Sequence, residues 1–182
     1  MNKKVLWITR TASFVALLVV LQFATSFLNN TMITGSIVNL ILIISVMMGG
    51  LLCGSTVAVL SPIFAKFFGI GPLWTIIPFI ALGNITLVLL WGFIGNRKVG
   101  KPRINHIIAL IVAAVAKFLV LYISIVKIAI PILLNLPKPQ ASVVSGMFSV
   151  PQLITASIGG VLAIIILPVL QKAVQSSPAK AH

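Results

Sequence analysis

Residues 104–131, INHIIALIVAAVAKFLVLYISIVKIAIP, decide the fold class of this chain. The apolar residues of this run are numerous enough to cross a bilayer as one helix, since about 20 of them span the hydrocarbon core. Lys117 interrupts the run near its middle, and Lys127 lies near its end. A cation at mid-membrane costs roughly 2.5–3.5 kcal/mol on insertion scales, so such a residue needs polar partners or a cavity.

The two lysines have different interpretations because the chain contains no Asp and no Glu. Lys117 must therefore contact backbone carbonyls, neutral polar groups, water or a ligand. The sequence leaves open whether this lysine lines a cavity or has a structural role. Lys127 lies close enough to a helix end to extend its ammonium group to the membrane surface, which is the favoured interpretation.

The composition indicates an integral membrane protein. Of the 182 residues, 60% are hydrophobic and only 7% are charged, which is far too little charge for a soluble domain of this size. The net charge of +13 is concentrated at segment ends, which favours anionic lipid headgroups over nucleic acid as its partner. The lone Cys53 excludes a disulfide framework. The N-terminus resembles a signal peptide, and we interpret it as a retained first helix.

The lack of acidic residues also excludes several functions. There is no Walker A sequence and no Asp to hold magnesium, so we expect no ATP hydrolysis by this chain. Proton and sodium coupling usually depends on intramembrane carboxylates, which are absent. His106 and His182 are the only imidazoles, which disfavours an intramembrane hydrolase or metal enzyme. We predict no catalytic residue, no metal and no cofactor.

The apolar segments predict an all-α protein with one transmembrane domain, residues 1–182, and six spans. Residues 35–68 would form about 50 Å of helix, too long for one crossing of about 30 Å. Gly49, Gly50 and Gly54 are the expected break, and Gly69, Ile70, Gly71 and Pro72 form an expected turn. The predicted spans lie near residues 5–28, 35–50, 53–68, 73–95, 105–131 and 143–171.

The distribution of basic residues predicts the orientation of these spans. An even number of spans puts both termini on one side, together with the connection between spans four and five. That side collects Lys3, Lys4, Arg10, Arg97, Lys98, Lys101, Arg103, Lys172 and Lys180. The other side receives only Lys66 and Lys138, with Lys127 near it. The positive-inside rule then predicts a multi-pass protein of the cell membrane with both termini in the cytoplasm.

Ala12 and Ala16 are separated by one helical turn on the first span, which lets another helix approach closely. Alone, this pattern also fits internal packing. Together with six spans, it resembles the substrate-binding S component of energy-coupling factor (ECF) vitamin transporters, whose first helix carries an Ala-x3-Ala motif. The resemblance implies that Ala12 and Ala16 contact a transmembrane coupling subunit in a complex with two ATPase subunits, which would supply the energy.

The resemblance also implies a ligand site that opens outward, built from the first loop and the outer parts of later helices. Asn84 and Lys117 have similar expected depths in the membrane. Trp74 fits an interfacial aromatic belt as well as it fits ligand stacking, and Asn39 favours an interhelical hydrogen bond over a role in the cavity. The candidate substrate-binding residues are Asn84, Lys117, Gln152, Trp74, Tyr122 and Asn39.

By overall similarity, the expected substrate is a small water-soluble vitamin or precursor, of the hydroxymethylpyrimidine or pyridoxine type, with pantothenate as the alternative. Amide groups offer donors and acceptors to a hydroxylated heteroaromatic ring, and the lysine suits a phenolate or carboxylate. Two other functions remain open on the sequence. One is a non-transporting assembly or regulatory subunit in the bilayer, and the other is a facilitator or channel that needs no ATPase.

Overall fold

The computed structural model describes residues 3–70, 73–97 and 102–176, and every regular element within these ranges is a helix. Three of the basic residues used to predict the orientation, Lys98, Lys101 and Lys180, lie outside the described residues. The same is true of Gly71 and Pro72 in the predicted turn. The all-helical architecture expected from the sequence is therefore present wherever the chain is described.

The first two helices are α1, Lys3–Ser26, and α2, Thr31–Gly49. Asn30 precedes α2, and its side chain accepts hydrogen bonds from the backbone N–H groups of Met32 and Ile33, at 3.0 and 3.3 Å. An asparagine in this position satisfies donors that the first helical turn leaves without partners. A connection follows α1, as the predicted spans near residues 5–28 and 35–50 require, but α2 begins at residue 31 and not near residue 35.

Helix α3, Leu51–Phe67, is separated from α2 by Gly50 alone. Gly50 has φ 87° and ψ 173°, a conformation that is accessible essentially only to glycine, so the predicted break falls there. Gly54, which was expected to belong to the break, lies inside α3. A Cβ at this position would lie 2.7 Å from Cβ of Val46 and 2.9 Å from Cγ1 of Val88, so Gly54 allows three helices to pack closely.

Helix α4, Ile77–Leu90, follows a 3₁₀ turn at Trp74–Ile76 and continues into π-helical turns at Trp91–Gly95. Helix α5, Pro102–Leu121, continues as π-helical turns over Tyr122–Leu134. Pro131 lies inside these turns and removes one backbone donor. The chain leaves them at Asn135, which has a left-handed conformation with φ 41°.

The segment predicted as one span near residues 143–171 is two helices. Helix α6, Lys138–Met147, is short, and α7, Val150–Ser176, is long. Pro151 lies in the first turn of α7, where its missing N–H has no cost, and it disfavours helical geometry at the residue before it. The predicted sixth span did not include this break, because an apolar run gave no indication of it, and the two helices together form one of the stretches long enough to cross a membrane.

Five helical stretches are long and apolar enough to cross a membrane, and α3 is a shorter apolar helix. The five stretches are Lys4–Ser26, Thr31–Gly49, Trp74–Gly95, Pro102–Leu134 and Lys138–Val174. Helix α3 has 17 residues, which is the lower limit for a crossing. The architecture is that of a multi-pass membrane protein with five or six spans, and the six-span count and the cytoplasmic termini stay predictions.

Helix α2 is central and contacts α1, α3, α4 and α7. The main core is formed by buried residues of these helices and α5, and includes Leu42, Leu87 and Trp91. A smaller core packs α6 against the π-helical turns that follow α5, and its buried residues include Ile76, Ile125 and Phe148. The two cores together include residues from all seven helices, α1 to α7.

Candidate functional site

The ammonium group of Lys117 is buried between two asparagine side chains. Its Nζ donates to Oδ1 of Asn39 at 2.6 Å and to Oδ1 of Asn84 at 2.7 Å. The side chains of Lys117, Asn39 and Asn84 are 3%, 1% and 2% exposed. Three helices, α5, α2 and α4, therefore each contribute one polar residue to a single buried cluster.

Neighbouring hydrogen bonds set the orientation of both asparagine amides. Nδ2 of Asn84 donates to the backbone carbonyl of Ala58 at 3.4 Å, and a carbonyl oxygen only accepts. Nδ2 of Asn39 donates to Oγ1 of Thr155 at 3.4 Å, whose own hydroxyl donates to the carbonyl of Gln152 at 3.2 Å. Each amide thus directs its oxygen at Lys117. An ammonium group has three N–H donors, and these two bonds leave one for a ligand.

A cavity of about 420 Å³ extends from this cluster to the end of the helices where α1 stops and α2 begins. This volume lies in the range of about 300–1,000 Å³ that small-molecule sites occupy. The connection between α1 and α2 and the residues after α3 form its mouth. Apolar side chains cover much of its wall, among them Val38, Leu73, Ile77, Ile80 and Phe148.

Four of the six predicted substrate-binding residues line this cavity: Asn39, Asn84, Lys117 and Gln152. Asn39 both lines the cavity and makes the interhelical hydrogen bond favoured for it by the sequence. The side chain of Gln152 donates through Nε2 to the carbonyl of Met147 at 3.1 Å, which joins the start of α7 to the end of α6. The geometry thus brings together one cation and three amides.

Trp74 and Tyr122 do not line the cavity. Trp74 is 55% exposed, and its ring lies 5.5 Å from that of Phe67, which agrees with the aromatic-belt interpretation. Tyr122 stacks on Phe118, and Nζ of Lys127 lies 5.5 Å from its ring centre. Five residues separate Tyr122 from Lys117, or about 140° around a helix, so the two side chains point in different directions.

The cavity also has polar residues that were not among the predicted substrate-binding residues, including Gln22, Ser61 and Lys66. Gln22, on α1, is 2% exposed, and its Nε2 lies 3.4 Å from both the carbonyl oxygen and Oγ of Ser61. The signal for Gln22 was its position as the one amide within the apolar part of the first span, since polar residues inside membrane segments usually have a function.

The small residues Ala12 and Ala16 lie on an outward face of α1. Both are exposed, and Leu17 and Val20 beside them are 44% and 61% exposed. Helix α1 packs on α2 and α3 with its opposite face. The structure therefore leaves this small-residue face uncovered by the chain itself.

The family model for the substrate-specific component of ECF transporters matches residues 7–171, which include every residue of the buried cluster. No curated protein and no solved structure gives a significant match. Members of this family are substrate-binding subunits that are not themselves ATPases and that associate with a transmembrane coupling subunit and ATPases. The chain belongs to this family and is the substrate-capture component of an ECF transporter of the vitamin type.

Proposed function

We propose that the chain captures a small water-soluble vitamin or precursor, hydroxymethylpyrimidine or pyridoxine, in the 420 Å³ cavity. The observation that supports this proposal most directly is the position of Lys117, held at the cavity wall by the oxygens of Asn39 and Asn84. A buried ammonium without any carboxylate is costly unless all its donors are used. A substrate that accepts a hydrogen bond from the third N–H gives each donor of the Lys117 ammonium group a partner.

The chemistry of the wall supports a ring compound. Apolar side chains such as Val38, Ile77 and Ile80 offer flat contact to the faces of a heteroaromatic ring. The amides and the ammonium lie where the edge of such a ring would present its nitrogen or phenolic oxygen. Small-molecule sites commonly combine an apolar wall with a few such polar groups, which fix the orientation of the ligand.

Pantothenate is the alternative substrate, and a specific observation favours it. Lys66 lines the same cavity as Lys117, in a chain without acidic residues. Two cations in one cavity favour an anionic group on the substrate, and pantothenate carries a carboxylate. The flexible chain of pantothenate makes less contact with a flat apolar wall than a ring does. The ring compounds therefore remain the preferred substrates in this proposal.

Delivery of the captured substrate is proposed to depend on the partner subunits. The cavity opens at the end of the helices opposite the N-terminus of α1, which is the outer face if both termini are cytoplasmic. The coupling subunit would bind the outward face of α1 at Ala12 and Ala16, and two ATPase subunits would drive the tilting of this component in the membrane. This arrangement accounts for a transporter without any energy-coupling carboxylate.

The test is calorimetric titration of the purified, detergent-solubilised protein with hydroxymethylpyrimidine, pyridoxine and pantothenate. We expect one-to-one binding of one ring compound, with pantothenate weaker. If pantothenate binds most tightly, it replaces the ring compounds as the proposed substrate. If none of the three binds, the proposed substrate class is wrong, although the family assignment does not depend on it.

A further inference from the structure

Gln22 carries a buried oxygen without a hydrogen-bond partner. Its Oε1 has less than 1 Å² of accessible surface and accepts no hydrogen bond within the part of the chain that the structure describes. The other end of the same amide is engaged, since Nε2 faces the carbonyl and the hydroxyl of Ser61. Buried carbonyl groups are nearly always paired, so this exception needs an explanation.

Exchanging the positions of Oε1 and Nε2 in the Gln22 amide does not give both atoms a hydrogen-bond partner. The backbone carbonyl of Ser61 only accepts, so the N–H side of the Gln22 amide must face α3 for that contact to exist. Thr11, elsewhere on α1, also has an unpartnered buried oxygen, but it does not line the cavity. Within the described residues, Gln22 is thus distinguished by having an unpaired acceptor and lining the cavity at the same time.

We infer that Gln22 is a substrate-recognition residue whose Oε1 accepts a hydrogen bond from an N–H or O–H group of the substrate. This inference rests on the proposed function, because it assigns one edge of the substrate captured in the same cavity. Oε1 is nearly inaccessible in the structure, so engaging the substrate requires a rotation of the terminal amide torsion, which also lengthens the two 3.4 Å contacts of Nε2 with Ser61. That torsion is the softest one of a glutamine side chain.

Helix α3 relates Gln22 to the Lys117 cluster. The carbonyl of Ala58 accepts from Asn84, and Ser61, which contacts Gln22, follows three residues later. Three residues correspond to a rise of about 4.5 Å along a helix. Gln22 and Asn84 therefore contact adjacent turns of α3, and both line the cavity, which suits a substrate as small as a single ring.

The substrate class follows from the chemistry of the two groups. Lys117 donates, so the edge of the substrate facing it carries a lone pair or an anionic oxygen. Gln22 accepts, so another edge carries an amino or hydroxyl hydrogen. A rigid aminopyrimidine with ring nitrogens and an exocyclic amine meets both requirements, whereas a ring that carries only acceptors leaves Oε1 unpaired. Sites built to pair a substrate donor strongly reject the analogue that lacks it.

The experiment compares Gln22→Met with wild type, using Gln140→Met as the matched control. Gln140 is exposed and does not line the cavity. The probes are hydroxymethylpyrimidine, pyridoxine and pantothenate, each paired with an analogue in which one amino or hydroxyl donor is replaced by hydrogen. For the compound that binds, we expect wild type and Gln140→Met to prefer the parent about tenfold or more, and Gln22→Met to bind parent and analogue alike.

The remaining outcomes separate this inference from the proposed function. If Gln22→Met weakens binding of parent and analogue equally, or weakens neither, Oε1 of Gln22 does not accept a hydrogen bond from the substrate. The inference is then wrong, but the proposed capture of a vitamin is unaffected. If wild type binds none of the three parents, the proposed substrate class fails and the inference fails with it. Should Gln22→Met not fold, Gln22→Glu keeps acceptor oxygens and must retain the preference for the parent.

Discussion

Nζ of Lys117 lies 2.7 Å from Oδ1 of Asn84, and this hydrogen bond joins α5, four residues before its end, to the middle of α4 beside the cavity. An ammonium group and an amide oxygen form a charge-assisted hydrogen bond, which is stronger than a bond between neutral groups. The pair places a positive charge at the cavity wall without a counter-charge from the protein. The charge remains available to the substrate, which would not be so if an aspartate replaced Asn84.

Replacing Lys117 by methionine removes that charge and preserves most of the side-chain volume. We expect substrate affinity to fall about 30-fold or more, since loss of a buried charged donor typically costs 2–5 kcal/mol. The unfolding temperature should change less, because removing a buried cation offsets the loss of partners for Asn39 and Asn84. Calorimetric titration and thermal unfolding of the same purified sample measure both effects.

Lys127→Met is the matched control for this substitution. Lys127 contacts the ring of Tyr122 and does not line the cavity, so its replacement should leave affinity within about twofold of wild type, as expected for a site away from the ligand. Equal losses in the two variants would show that general damage, and not the charge at the cavity, weakens binding.

Asn84→Asp tests which kind of substrate uses the charge. The new carboxylate has the shape of the amide and neutralises Lys117 across the same 2.7 Å contact. We expect affinity for pantothenate to fall about tenfold or more, because its carboxylate then meets a paired ammonium and a like charge. A neutral ring should lose much less. Titration of both compounds against wild type and Asn84→Asp gives the comparison, and parallel losses would argue against direct recognition of an anion.

The location of this cluster was largely predictable from the sequence, because a lysine in an apolar run without acids must contact neutral polar groups. Asn84 was selected by its expected depth and Asn39 by a favoured interhelical hydrogen bond, and both contact Lys117. Depth along a helix does not give the direction of a side chain, however. Tyr122 was therefore included although it faces away from the cavity, and Gln22 was omitted although it lies in it.

The break between α6 and α7 shows the same limit for the fold. The adjacent glycines Gly49 and Gly50 predict a helix break, and Gly50 has a backbone conformation that other residues avoid. Pro151 follows an apolar residue and also suits the interior of a membrane helix, where proline is tolerated. The structure places the break at residues 148 and 149, between α6 and α7, where Phe148 is buried in the smaller core.

Ala12→Leu tests the proposed contact with the coupling subunit. A leucine on the outward face of α1 adds volume where a neighbouring helix would approach, so we expect uptake into cells and copurification of ATPase subunits to fall together. Substrate binding by the isolated component should be unchanged, because Ala12 does not line the cavity. Uptake of labelled substrate, with quantification of copurified subunits, measures the effect.

Ala24→Leu is the control on the same helix. Ala24 is also exposed, and it lies twelve residues after Ala12, about 120° around α1. It should leave uptake and complex composition unchanged. Unchanged uptake with altered complex composition in Ala12→Leu would favour an assembly role instead. Unimpaired uptake by wild type in cells without the partner ATPases would favour a facilitator that acts alone.

Gly54→Ala tests the close approach of α2, α3 and α4 that holds the cluster together. The added Cβ would lie 2.7 Å from Cβ of Val46 and 2.9 Å from Cγ1 of Val88, distances that force the helices apart. Overpacking of this kind typically costs about 1–3 kcal/mol, so the unfolding temperature should fall. Substrate affinity should fall as well, because Asn84 on α4 is bonded to Ala58 on α3, one turn beyond Gly54.

Gly146→Ala is the matched control for this loss of stability. Gly146 lies inside α6, and an added Cβ would have no atom within 4 Å. Alanine has a better helix propensity than glycine by about 0.5–1 kcal/mol, so the unfolding temperature should stay the same or rise. If Gly54→Ala behaves like Gly146→Ala, the three helices do not approach as closely as the described contacts require.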